Sequence, residues 1–272
     1  MKKLLSTILV GIMAITMLTA CSSGADATEP ANKLEAIKAS GKLVVGTSAD
    51  YPPYEFHMII DGVDTIVGFD MDVAKAIAEG LGVELEIKDM GFDAVLAGVG
   101  TGMIDMGVAG INNTPEREDS MDFSNVYYKA SQTVIVKSEN VGTYNTNDDL
   151  KGKIIGVQIG TLQESIAQEI EGATVKSLSK VTDLVLELKT GKIDAIMLEM
   201  PVAGSYAKQN DDLAVAEGIV FEKMEGGSTV ITANDETELM EEINAVIAQL
   251  LADGKIDQFV AQANELAEKA AE

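Results

Sequence analysis

Very little in this chain of 272 residues is equipped for covalent chemistry. It has one cysteine and one histidine, so no internal disulfide is available, and it shows no His/Cys cluster of metal-ligand spacing. A general base, a thiol nucleophile or a metal centre therefore has almost no raw material. No catalytic residue, metal or cofactor is expected. Positive charge is scarce too: 20 basic residues stand against 44 acidic ones, a formal net charge of -24. So acidic a surface is repelled by phosphate backbones and anionic lipid, which argues against nucleic acid as a partner. His57 follows an aromatic stretch and reads as a surface or rim residue.

What is present begins with an export signal. Met1-Lys2-Lys3 precedes an apolar run over residues 4–20, which ends in Leu18-Thr19-Ala20-Cys21. A charged start, an apolar middle and small residues before a cut site form the pattern of a removable leader. The run is short for a stable membrane span. The Leu-Thr-Ala-Cys sequence resembles a bacterial lipobox, which implies removal of residues 1–20, lipidation of the Cys21 thiol and a chain held outside the cytoplasm on the cell membrane. Residues 21–38, small and polar at their start, are expected to be a flexible tether.

The remaining length exceeds one typical domain and suits two lobes. Strand-like runs at 43–47, 84–88 and 106–110 alternate with helical stretches at 72–81 and 92–98. This predicts an α/β fold whose central, mostly parallel sheets are flanked by helices. A weak internal repeat sharpens the expectation: Gly41-Lys42-Leu43-Val44-Val45-Gly46 is echoed by Gly152-Lys153-Ile154-Ile155-Gly156, and Thr101-Gly102-Met103-Ile104-Asp105 by Thr190-Gly191-Lys192-Ile193-Asp194. Two similar lobes joined by two crossing hinge strands accommodate it, with lobe 1 at 39–130 plus 226–272 and lobe 2 at 131–225. The crossings are expected near 132–137 and 228–232. Residues 236–271 carry helical periodicity, with Leu239, Ile243, Val246 and Leu250 three or four apart, and are expected to pack on lobe 1.

Gly98-Val99-Gly100-Thr101-Gly102 looks like a nucleotide loop but follows a helix and leads to a strand, so a plain turn is the better reading. The segment from Gly107 to Arg117 is more informative. A strand ends in small residues, and a helix starts with Thr114 as N-cap and Pro115 at its first position. Strand ends in α/β sheets are where ligands bind, and Arg117 just beyond has the fork to grip a carboxylate. Spacing alone fits a salt-bridged surface arginine better.

Six motifs in one order change that balance: Tyr51-Pro52-Pro53-Tyr54-Glu55-Phe56, Gly68-Phe69-Asp70-Met71-Asp72, Thr114-Pro115-Glu116-Arg117, Asp122-Phe123-Ser124 with Tyr127-Tyr128, Leu150-Lys151-Gly152-Lys153 and Val157-Gln158-Ile159-Gly160-Thr161. From about Gly41 onward the chain resembles the family 3 solute-binding proteins, the polar amino acid type. The resemblance implies two lobes that close around a free polar or basic amino acid and present it to an ABC permease, as a monomer. Arg117 would bind the α-carboxylate beside backbone groups near Ala109, Gly110 and Asn112, with donors added by the Gly160-Thr161-Leu162 turn. The family's ammonium acceptor is usually an aspartate; here that position is Glu199, one methylene longer. Side-chain recognition would fall to Tyr51, Phe92, Gln158, Gln163 and Asn112, with Asp50 a further contact. Two other readings share the scaffold: a dehydratase-type enzyme using Glu199 as general acid, and a ligand-sensing module.

Overall fold

The computed structural model describes residues 30–221 and 226–270. The expected leader, Cys21 and the first part of the expected tether lie outside the described residues. Helix α1 (Lys33–Ser40) corrects the tether boundary at 38. Asn32 closes its start by accepting from the Glu35 N–H at 2.9 Å, Gly41 ends it in the left-handed region, and Ile37 is buried. A helix capped at both ends with an apolar anchor belongs to the folded body.

In chain order there follow β1 (Lys42–Thr47), β2 (Asp50–Tyr51), β3 (Glu55–Ile60), β4 (Val63–Val67), α2 (Phe69–Leu81), β5 (Glu84–Asp89), α3 (Phe92–Gly100), β6 (Met106–Asn112), α4 (Pro115–Glu118) and β7 (Met121–Phe123). Then come β8 (Gln132–Lys137), β9 (Ile154–Gln158), α5 (Leu162–Gln168), β10 (Thr174–Leu178), α6 (Val181–Lys189), β11 (Ala195–Glu199), α7 (Met200–Gln209), β12 (Leu213–Val215), β13 (Ser228–Ala233), α8 (Thr237–Ala252) and α9 (Lys255–Ala270).

The strands form two five-stranded sheets, β5-β1-β6-β13-β7 and β10-β9-β11-β8-β12, and a small antiparallel sheet β2-β3-β4. In each large sheet one strand runs against the others, β13 in the first and β8 in the second. The fold is thus mixed α/β with two mostly parallel sheets flanked by helices.

The two sheets share one plan, and the sequence repeat explains how it is held. Asp105 accepts the Val44 N–H at 2.8 Å, and Asp194 accepts the Ile154 N–H at 2.8 Å. A side chain on Gly46 would strike Ile104, and one on Gly156 would strike Ile193. The Gly-Lys strand and the Ile-Asp turn are therefore one interlocking unit used twice: the carboxylate satisfies a backbone donor, and the isoleucine fills the space left by the glycine.

The stretches expected at the crossings are strands β8 and β13, and the crossing segments lie just before them. Bridges between Tyr128 and Ser228 and between Gln132 and Phe221 tie the two passages together. Helix α2 lays Phe69, Val73, Ala74, Ile77 and Leu81 onto the first sheet, all buried at the three-to-four spacing of an apolar stripe. The C-terminal helical stretch is two helices, because Gly254 turns left-handed (φ 62°) between α8 and α9. Leu239 and Ile243 of α8 are buried, and α8 packs on α1 and α2. Among the described residues no helix is long and apolar enough to cross a membrane.

Candidate functional site

The parallel strands of both sheets end at a shared cleft: β1 and β6 from one side, β9 and β11 from the other. Ends of parallel strands leave backbone groups and loop side chains unpaired, so binding groups collect there. A narrow, nearly closed cavity lies between them. Tyr51, Phe92, Ala109, Gly110, Asn112 and Arg117 line it from the first sheet's side, and Gln158, Thr161, Leu162 and Gln163 from the second's. These residues come from five separate stretches of chain, and the fold brings them together as the sequence reading grouped them. A wider, open groove of about 320 Å³ runs between Tyr127, Tyr128, Lys129 and the α8–α9 turn. It holds none of the expected residues and lacks converging buried polar groups.

Arg117, the single arginine of the chain, sits on the short helix α4. Thr114 occupies the N-cap position in extended backbone but makes no side-chain cap, while Pro115 takes the first turn as expected. The guanidinium donates to the Asn112 carbonyl at 2.7 Å and, across the cleft, to the Gly160 carbonyl. It also lies 5.8 Å from the Phe92 ring centre, within cation–π range. A planar fork with fixed donors suits a carboxylate at this spot.

Two of the expected backbone donors are already committed. Gly110 N–H donates to Asp70 at 2.7 Å, and Gly160 N–H donates to Glu164 at 2.7 Å. Gly110 contributes shape: its φ is 57°, and an added Cβ would stand 3.3 Å from the Tyr54 ring. Thr161 caps α5, accepting from Glu164 N–H at 3.3 Å while its hydroxyl donates to Gln158 O at 2.7 Å. The amides are held from behind. Gln158 donates to Ser48 at 3.3 Å and Ser179 O at 3.0 Å, and Gln163 donates to the Tyr51 hydroxyl at 3.2 Å and to Gln132 at 2.8 Å.

Glu199 is outside the cavity wall. It is 2% exposed, and its carboxylate accepts from Asn112 Nδ2 at 3.0 Å and from the Tyr54 hydroxyl. Burial pushes its pKa up to about 7 against those donors. Asp50 is not a wall residue either. Its carboxylate caps α6 from the opposite lobe, accepting Val181 N–H at 2.6 Å, with Ser48 Oγ at 3.2 Å. Burial raises its pKa, opposed chiefly by the charge of Lys180. Beside it Lys180 pairs with Asp89 at 3.0 Å on the cleft rim. His57, on the hairpin, bonds Asp64 and Asp89 at 2.9 and 3.4 Å.

Sequence reasoning missed Gln132, Tyr54, Ser48 and Asp70 as parts of this site. Asp70 is wholly buried at the start of α2, bonded to Gly110 N–H and, at 2.8 Å, the Tyr127 hydroxyl; burial raises its pKa to about 6. Glu55 lies beside it, and burial, together with the Asp70 charge and a hydrogen bond shared with Asp70, pushes its pKa well up. The only signal for this pair was its place in two quoted motifs, which named no role. Among the described residues no group of three or more His, Cys, Asp or Glu is arranged to hold a metal ion.

Residues 43–263 match the model of the bacterial extracellular solute-binding proteins, family 3. The chain is 35% identical over 264 residues to the arginine-binding extracellular protein ArtP of Bacillus subtilis, covering 95% of this chain and 96% of that one. It is 32% identical over 250 residues to the L-cystine-binding protein TcyJ of Escherichia coli K12, covering 91% of each. Among solved structures it is similar to the amino acid ABC transporter substrate-binding protein AbpA from Streptococcus pneumoniae bound to L-arginine. That match has a TM-score of 0.82 at 40% identity and covers 86% of this chain and 98% of that one.

Proposed function

The chain belongs to the bacterial extracellular solute-binding proteins of family 3, and from that premise we propose that it captures a free amino acid in the cleft and hands it to an ABC permease. The observation that carries this reading is the cavity between two sheets with Arg117 in its wall and the buried Glu199 close behind it on the other side. An amino acid zwitterion brings two charges that must both be paired once water is excluded. Arg117 takes the α-carboxylate, replacing its contact with the Gly160 carbonyl. Glu199, bonded to the wall residue Asn112, takes the α-ammonium. Each lobe alone satisfies half of the ligand, so affinity is greater for the closed form and binding shifts the population towards it.

The lobes in this reading are 39–130 plus 226–272 and 131–225, with strands of the first sheet confined to one and strands of the second to the other. Basic amino acids are the favoured ligands. Relatives named for arginine support this, as do the acidic charge of the chain and the tyrosine and amide surfaces of the cavity. The chain acts outside the cytoplasm as a monomer, held at the membrane through lipid on Cys21. No residue is assigned a catalytic role.

The test is a thermal-shift screen of refolded, lipid-free protein against the twenty amino acids plus cystine, ornithine and citrulline. A ligand at 100 times its Kd stabilises by about 2.7 kcal/mol, a clear shift. Stabilisation by L-arginine or another basic amino acid is expected; silence across the panel overturns the reading. Mass spectrometry of the membrane-extracted chain should show an acylated N-terminal Cys21, lost in Cys21→Ser.

A further inference from the structure

Glu199 stands where an aspartate would serve, and its longer side chain has to be held in place. We infer that Tyr54 is a positioning residue for the binding site: its hydroxyl, donated across the cleft to Glu199, orients the longer carboxylate, so that the two residues operate as a matched pair. The inference rests on the cleft being an amino acid site.

Tyr54 has no room to do anything else. Its side chain is wholly buried, and its ring is tilted against Phe69 at 4.3 Å and Tyr51 at 5.4 Å and meets Tyr128 edge-on at 5.7 Å. Its backbone is pinned as well. The Tyr54 carbonyl accepts the Asp70 N–H at 3.0 Å, and a Cβ on Gly68 would fall 2.0 Å from that carbonyl. Packing alone would accept phenylalanine. A buried hydroxyl needs a partner, and the one it finds is Glu199 Oε2. Asn112 takes Oε1. Gln132 also donates to the carboxylate; of its about four lone-pair sites three are engaged, and one remains for an ammonium. An aspartate at 199 would draw the carboxylate back by about 1.5 Å, out of reach of the hydroxyl. The ionisable groups around Glu199 are Tyr51, Tyr54, Glu55, Asp70, Tyr127 and Tyr128. The hydrogen bonds donated by Tyr54, Asn112 and Gln132 favour the ionised form.

The test is a double-mutant cycle with L-arginine as probe, together with a carbon-13 NMR titration of the Glu199 carboxyl in ligand-free protein, assigned through Glu199→Gln. In the parent chain Tyr54→Phe should weaken binding about ten- to a hundredfold, as for loss of a hydrogen bond to a charged group, and should raise the Glu199 titration midpoint. In a Glu199→Asp background the same change should alter Kd less than about twofold, within the additivity expected of uncoupled sites. Equal effects in both backgrounds, or an unmoved midpoint, overturn the pairing. If the parent chain binds no amino acid at all, the functional reading fails, and the ligand-free titration still decides whether Tyr54 holds Glu199. A lower melting temperature with an unchanged midpoint would mean structural support only and also counts against the proposal.

Discussion

Replacing Arg117 by alanine isolates the strongest electrostatic element of the cleft. Its guanidinium bonds the Asn112 carbonyl at 2.7 Å on its own side and the Gly160 carbonyl on the other, over the Phe92 ring. A carboxylate offers the guanidinium a charge-assisted fork that these carbonyls do not. Without Arg117 the ligand's carboxylate would be buried with no countercharge, a loss of about 3 to 5 kcal/mol. At about 1.4 kcal/mol per factor of ten, Kd should rise by about two to three and a half orders of magnitude. Isothermal titration with L-arginine on refolded protein measures this directly. Arg117→Lys should fall between the two, since it keeps the charge and loses the planar fork. Because α4 is a short surface helix, the ligand-free variant should keep its melting temperature to within a few degrees. An Arg117→Ala protein that melts normally and binds L-arginine within about threefold of the parent, a difference under about 0.7 kcal/mol, would refute the assignment of the carboxylate site.

Asp50→Ala removes the cap that lobe 1 places on α6, worth about 0.5 to 2 kcal/mol for such a residue; stopped-flow measurement should show ligand leaving several-fold faster with association unchanged. Gly110→Ala forces a side chain onto a residue at φ 57° and crowds the Tyr54 ring. Calorimetry should find it both less stable, by about 1 kcal/mol or more, and a weaker binder. The buried acids also set a pH dependence. Asp70 at about 6 and Glu199 at about 7 are raised above their unfolded values, so the folded chain holds protons that the unfolded chain releases. Their contribution to stability is fully present at about pH 4 and is lost as pH rises through 6 to 7, at about 1.4 kcal/mol per unit for each group within its window. Ligand-free protein should therefore melt at a higher temperature at pH 5 than at pH 8. Binding an ammonium favours ionised Glu199, so titrations at pH 6.5 in buffers of different ionisation enthalpy should show proton release.

Local chemistry made much of the fold legible. Alternating runs predicted β1, β5 and β6, and the three-to-four spacing predicted α2, because both follow from which side of an element is buried. The repeat was visible as Gly-Lys and Ile-Asp pairs, since each pair is a packing unit. The tether boundary at 38 ran past the start of the fold, because Asn32 and Gly41 cap a helix there and Ile37 is buried. Composition hid the β3–β4 hairpin, whose turn depends on Asp61 at φ 52° and Gly62 at φ 81°. Of the cavity wall, Tyr51, Arg117, Gln158 and Thr161 stand in the six motifs, while Phe92 and Gln163 stand outside them. The partners of Glu199 and Asp50 were not legible, because these bonds join residues 145 and 131 positions apart across two lobes. No local pattern encodes which loop faces which once the lobes meet.

The strand order of the first sheet bears on how such a chain is made. β13 lies between β6 and β7, yet it is the last strand to be synthesised, while the strands of the second sheet all fall within residues 132–215. Until residues 228–233 emerge from the ribosome, the lobe that emerges first has a gap between β6 and its edge strand β7. A protein bound for the far side of a membrane gains from that delay, because half of it cannot lock into its final form before translation is nearly complete. Truncation ahead of Ser228 should accordingly leave lobe 1 protease-sensitive with every strand of the second sheet still present.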